Sequence, residues 1–427
     1  MKDTWAIGRR LTLNLGVRYA HDNGFVPGSC SDGGVFYPPQ CYEKRQFAVF
    51  SSFAPRMHFS YDVAGNGKTV IKGGWGRFDH MRQLSELQSA DPNDTTTRTY
   101  TWTDPNGNRQ YDPGEINLDP NGPAFVSQSG GSNTVPNPDE AHPKGEEFSL
   151  SFERELMANS VVRLTGLRSK YINSYRTVNA LRPPETYTIP VTRPDPGFDG
   201  RVDTADDPGT FVTYFEFPQS LAGRRFEQFL LKNETEANPS YTSFEIATTK
   251  RLSSGWMAMV SYSATKKKVP YVNGLNPSQS TSSVTLAPRD PNSEIFAADN
   301  SWESVGKILA AYILPYGVLV STNYEYRSGI PWARQIQFTG GQTIPSIVLR
   351  VEPIGARQLP SIQLVNMRVQ RRFALSQTRH LEVRAKIYNL TNANTVLGVN
   401  MRSGTSFLRP TSILEPRILE LSASFIF

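Results

Sequence analysis

The chain has 427 residues, a formal net charge of +6, 38% hydrophobic and 11% aromatic residues, and a negative mean hydropathy. No apolar run approaches the roughly 20 residues of a membrane helix, which excludes a helical inner-membrane protein. The basic residues are scattered singly, with no basic helix and no nucleic-acid motif, so charge does not point to DNA or RNA as a partner.

Met1-Lys2-Asp3-Thr4-Trp5 leads straight into strand-like sequence, with no apolar export signal ahead of it, and Thr4–Trp5 is predicted as the tail of a strand. From Arg9 the chain alternates at period two: Leu11, Leu13, Leu15, Val17 and Tyr19 face one way, Thr12, Asn14 and Arg18 the other. Cys30 and Cys41 follow in a Pro/Gly-rich stretch. Their spacing is not a zinc pattern. A loop disulfide of an oxidising compartment is the first expectation, with two free thiols as the alternative. Gly65-Asn-Gly-Lys-Thr69 lacks the glycine that a phosphate loop needs at Asp62. Asn66-Gly67 is a hairpin turn instead.

Asp104, Asn106, Asn108, Asp112 and Glu115 stand at the oxygen-ligand positions of an EF-hand loop. Arg109 occupies the place that wants glycine, and no helices flank it. Structural calcium and an ordinary turn-rich loop both remain open. Asp199, Asp203, Asp206 and Asp207 form a second acidic loop with the same two readings. No other cofactor is expected. Tyr100, Trp102 and Trp332 could stack on a ligand or pack within loops. Lys266-Lys267-Lys268 closes a predicted strand, either as a solvated rim or as a contact for anionic lipid or lipopolysaccharide. The histidines are dispersed and no HExxH or GxSxG pattern occurs, so no catalytic residue is expected.

Twelve alternating segments emerge in all: 9–20, 46–62, 67–80, 144–156, 160–172, 239–251, 255–266, 299–314, 317–328, 361–375, 379–391 and 416–427. A further short strand is expected within Thr210–Phe217. Tight turns and long segments alternate between them, as in a membrane barrel with short periplasmic turns and long external loops. The fold class expected is therefore an all-β, antiparallel transmembrane β-barrel. Leu419, Leu421, Ala423, Phe425 and Phe427 share one face of the last segment.

Arg10 to Tyr19, Phe53-Ala-Pro-Arg56 with Gly65 to Phe78, and Tyr388-Asn-Leu-Thr-Asn-Ala-Asn394 with Glu415-Pro-Arg417 together resemble TonB-dependent outer-membrane receptors, most closely the Oar-like subgroup with a carboxypeptidase-regulatory-like domain. The resemblance implies a 22-stranded barrel of which residues 1–427 are the C-terminal portion, without plug, TonB box or signal peptide. It implies the bacterial outer membrane, lipid and lipopolysaccharide as surroundings, and the TonB complex as a partner acting only through a missing N-terminal region. Phe425 and Phe427 resemble the terminal signal read by the barrel-insertion machinery, so the C-terminus is expected to be the true one. Uptake of a siderophore, vitamin, oligosaccharide or peptide is the leading function. Oar-like adhesion or protein export, and a soluble all-β carbohydrate-binding or enzymatic domain, are the alternatives. Cut from a larger barrel, the chain alone is expected to curl into a smaller barrel or to misfold, because open edges are costly in lipid.

Overall fold

A computed structural model describes residues 2–34, 36–119, 122–275 and 285–427. Thirteen strands form one antiparallel sheet whose spatial order is the chain order. They are β1 (Lys2–Ile7), β2 (Leu11–Asp22), β3 (Phe50–Asp62), β4 (Thr69–Asp79), β5 (Lys144–Met157), β6 (Ser160–Ile172) and β7 (Ser240–Ser253). The remainder are β8 (Trp256–Lys268), β9 (Trp302–Leu314), β10 (Val318–Arg327), β11 (Ile362–Ala374), β12 (His380–Tyr388) and β13 (Ile418–Ile426). All twelve expected segments are present, and Thr4–Trp5 belongs to β1.

Strict alternation gives the sheet two unlike faces. On one, Trp5, Leu13, Phe59, Gly73, Leu150, Gly166, Phe244 and Ala264 lie in a single cross-strand row. Trp256, Tyr312, Val320, Val369, Ala385 and Leu421 form another. The opposite face carries Ser321, Arg368, Lys386 and Glu420 in register. Trp302 and Tyr312, both outward on β9 and both exposed, border the apolar face. Their ten-residue separation is about 33 Å along a strand, and a barrel tilt of about 40° leaves about 25 Å, the height of an outer-membrane apolar band.

Two glycines of β4 allow close packing. An added Cβ on Gly74 would lie 2.0 Å from the His58 ring, and one on Gly73 would lie 2.5 Å from the Phe59 ring.

The sheet does not close. Among the described residues β1 pairs only with β2 and β13 only with β12. The expected curling into a smaller barrel is therefore corrected. The reason is parity: with thirteen antiparallel strands, β1 and β13 run in the same direction. Closing on itself would require a parallel seam instead of the antiparallel pairing of an even-numbered barrel.

Tight turns join the strands at one end, and long segments (23–49, 80–143, 173–239, 269–301, 328–361 and 389–417) gather at the other. Apart from Phe50 and Ala54, the buried apolar side chains among the described residues lie in these long segments. Tyr214, Ile336, Phe338 and Leu349 form one cluster, and Ala237, Val269, Val272, Ala333 and Ile354 another. The first joins the hairpin Ile189–Pro194/Phe211–Glu216, close to the strand expected at 210–217, to the hairpin Gln335–Thr339/Ser346–Arg350. The long segments thus build a cap with its own core, while the sheet presents its faces to its surroundings.

Candidate functional site

The cap is held by buried charge, some of it within one long segment and much of it crossing from one to another. Arg334 donates from both terminal nitrogens to Asp195, at 2.9 and 2.5 Å, and also to the Gly197 carbonyl at 2.7 Å and Ser403 Oγ at 3.1 Å. Three segments distant in sequence meet on this one guanidinium. Both partners of the ion pair are almost fully buried. Glu216 accepts the backbone amides of Gln342, Thr343 and Ile344. Arg176 donates to the Ala287 and Pro288 carbonyls, pairs with Glu234 and Glu294, and lies over the Tyr271 ring at 3.9 Å. Arg82 pairs with Glu140 at 3.2 Å in full burial. Burial pushes the Glu140 carboxyl above the usual carboxylate range, against the pull of Arg82.

Beside Arg334 the cap gathers cation and rings. Arg357 lies over Phe198, Trp332 and Phe407, with Phe198 and Phe407 stacked at 5.3 Å. Arg357 remains 30% exposed and donates to Glu352 at 2.6 Å. Trp332 is thus a packing residue. Tyr100 packs on Phe125 and donates to the Leu118 carbonyl, and Trp102 donates to Glu115.

The first acidic loop is knitted by its own chain. Asp104 accepts the Gly107 and Arg109 amides, while Asn106 and Asn108 donate to Asp112 at 2.7 and 2.8 Å. Glu115 accepts the Asp112 amide. In the second loop Asp206 accepts from Phe198, Asp199 and Thr204, and Asp207 from the Thr204 amide. Asp199 accepts the Arg201 amide, and Asp203 is exposed at φ 62°. The Thr204 hydroxyl and these two amides hold the Asp206 carboxyl below its usual range. Among the described residues no three His, Cys, Asp or Glu side chains converge as a metal group. Cys30 and Cys41 form a disulfide across a short hairpin. Phe425 faces Leu381 across β12, and Phe427 lies just beyond β13 with its ring 6.1 Å from that of Phe425.

The polar face carries exposed pairs, Lys72–Glu153, Arg163–Glu245 and Lys386–Glu420, at 2.7 to 2.8 Å. Such pairs contribute little to stability individually. They make a hydrated, charged surface on the side away from the apolar rows.

Set beside known proteins, residues 1–320 match the family model for the outer membrane beta barrel domain. The chain belongs to that family. The outer membrane beta barrel domain places the protein in the bacterial outer membrane, and the soluble alternative falls with it. The outer membrane transporter YddB from Escherichia coli has the same fold at a TM-score of 0.51 and 9% identity, covering 100% of this chain and 53% of that one. The ferric-catecholate import receptor Fiu from K12 E. coli aligns at 0.47 and 13% identity, covering 100% and 44%. The copper transporter OprC aligns at 0.48 and 11%, covering 99% and 47%. This barrel domain therefore spans about half the length of the solved structures it matches. No curated protein sequence matches it.

Nothing in the sequence marked Arg334, Asp195, Arg176 or Glu216. Their meaning lies in partners distant in the chain, from 58 positions for Arg176 and Glu234 to 139 for Arg334 and Asp195, and single charges in polar loops carry no periodic signal.

Proposed function

We propose that this chain supplies barrel wall and ligand-capturing cap to a TonB-dependent receptor that takes up a scarce solute such as a siderophore, vitamin, oligosaccharide or peptide. The observation that carries the reading is the pairing of a two-faced sheet of the outer-membrane transporter type with a densely packed cap at its long-segment end. A pore needs only a wall. A cap stapled by buried arginines holds a defined surface, as selective capture requires. In this reading the strands that close the barrel, the plug and the TonB contact belong to the rest of a receptor about twice as long.

The test is uptake by cells that carry the full-length receptor under nutrient limitation, with TonB intact or deleted. Growth or labelled-solute accumulation that depends on both receptor and TonB supports the proposal. Accumulation independent of TonB overturns it in favour of a passive pore, and a receptor deletion that alters only adhesion or secreted protein overturns it in favour of the Oar-like alternative.

A further inference from the structure

The apolar face changes character near the long-segment end of β5–β8. Across one row Glu146, Lys170, Ser240 and Lys268 are in register, with Arg77 beside Glu146. One step closer to the membrane centre the row reads Phe148, Arg168, Thr242, Lys266 and Trp302. Five cations and one acid thus share the outward face at this level. Arg77 is neutralised by Glu146 at 2.6 Å, and Lys266 is held by the Asn300 carbonyl and the Trp302 ring. Arg168, Lys170 and Lys268 are exposed, and their side chains make no hydrogen bond or ion pair among the described residues.

Directly below lies a groove of about 540 Å³. Its floor is Gly166 and Ala264, and its walls include Leu150, Leu164, Phe244 and Tyr262. Gly166 is two residues from Arg168 on β6, and Ala264 two from Lys266 on β8, so groove and cations share one face. The groove lining also takes in Thr165 and Glu245 of the polar face, but the cationic rows stand on the outward face alone. An apolar groove alone would be ordinary lipid boundary, and a cationic row alone an ordinary rim. Together they match a molecule with several anionic groups at its head and acyl chains attached below.

We propose that this face is a binding site for the phosphorylated, multi-acyl glycolipid of the outer leaflet, with phosphates on Arg168, Lys170, Lys266 and Lys268 and an acyl chain in the Gly166 groove. The long segments mark the external side. The cations therefore meet the outer leaflet, where the anionic lipid is lipopolysaccharide.

The test uses the full-length protein extracted from outer membranes in mild detergent, with bound 3-hydroxy fatty acid and lipid phosphate measured by mass spectrometry. Neutralising the cations (Arg168→Gln, Lys170→Gln, Lys266→Gln, Lys268→Gln) is expected to weaken retention about fivefold per cation removed. Gly166→Leu fills the groove from the other side. A Cβ there meets only Phe244, at 3.9 Å, so the strand accepts it. It is expected to lose lipid while keeping every cation. Heat-modifiable gel migration reports folding, and if the four-fold variant does not fold, Gly166→Leu and the single cation variants decide. Lipid retention equal to the unaltered protein in folded variants overturns the proposal. So does displacement by inorganic phosphate with no effect of Gly166→Leu, which would mark a free-anion site.

Discussion

Arg334 shows how much of the cap depends on one side chain. Its guanidinium is buried and can be stable only while Asp195 and the two further acceptors surround it. Arg334→Ala leaves the Asp195 carboxylate buried and unpaired, a change that costs about 3–5 kcal/mol. Hydrogen exchange should accelerate around residues 195–198, 334–352 and 400–404 while the wall strands keep their protection. Replacing both partners with apolar residues of similar volume should cost less than either single change. Asp206 gives a second residue-level expectation. Its carboxyl is held low by hydrogen bonds that exist only in the folded loop, so the folded loop binds its proton less readily than the unfolded chain. The stabilisation is present above about pH 4 and lost as pH falls through the lower, folded value. Protection of the Phe198 and Asp199 amides, which donate to Asp206, taken against the intrinsic exchange rate at each pH, should therefore fall on acidification, and Asp206→Asn should remove that dependence.

At the level of elements, the turn between β9 and β10 holds Tyr316 at φ 63° and ψ 19°, a left-handed conformation, with the side chain 87% exposed. A tyrosine there gains no packing to offset the steric cost. Tyr316→Gly should stabilise the hairpin by about 1 kcal/mol, measured by denaturant unfolding in detergent. Gly317→Ala, at φ 71°, should do the reverse. Wall strands such as β2 and β13 were legible in the sequence because each must satisfy two different solvents at once, and that requirement writes a period of two into every one. Their ends fell within a few residues of the alternation. The cap hairpins were far less legible. The pair Gln335–Thr339/Ser346–Arg350 is buried by a hairpin more than a hundred residues earlier, so no local pattern announces it. Trp332 stands out in the sequence for its aromatic ring, but Arg357, Phe198 and Phe407, which explain its position, carry no such signal.

For the molecule as a whole, short–long alternation placed every long segment at one end without any knowledge of contacts. It did not reveal that those segments contain the buried core. Nor did the strand count, read as twelve and a tail, bring out the consequence of thirteen for closure. The open edges bear on handling the chain. With β1 and β13 each carrying unpaired backbone donors and acceptors, residues 1–427 alone should associate edge to edge in detergent. Light scattering should show assemblies larger than one chain, and a stable monodisperse monomer would contradict this.

The wall and the cap also belong to different clocks. Each wall strand pairs with its neighbour in the chain, so the sheet can lengthen by one strand at a time through closures of alternating tight turns and single cap segments. Several of the cap's anchoring bonds join residues far apart in the chain, by 137 positions from Arg334 to Gly197 and by 206 from Ser403 to Gly197. Such pairings are slow to find by chance, and become quick only once the wall has brought the roots of the long segments together. Assembly should therefore run in order: SDS-resistant wall first, protected cap amides afterwards. During that interval the wall is already formed while the surface that selects a solute is still being sorted from its parts.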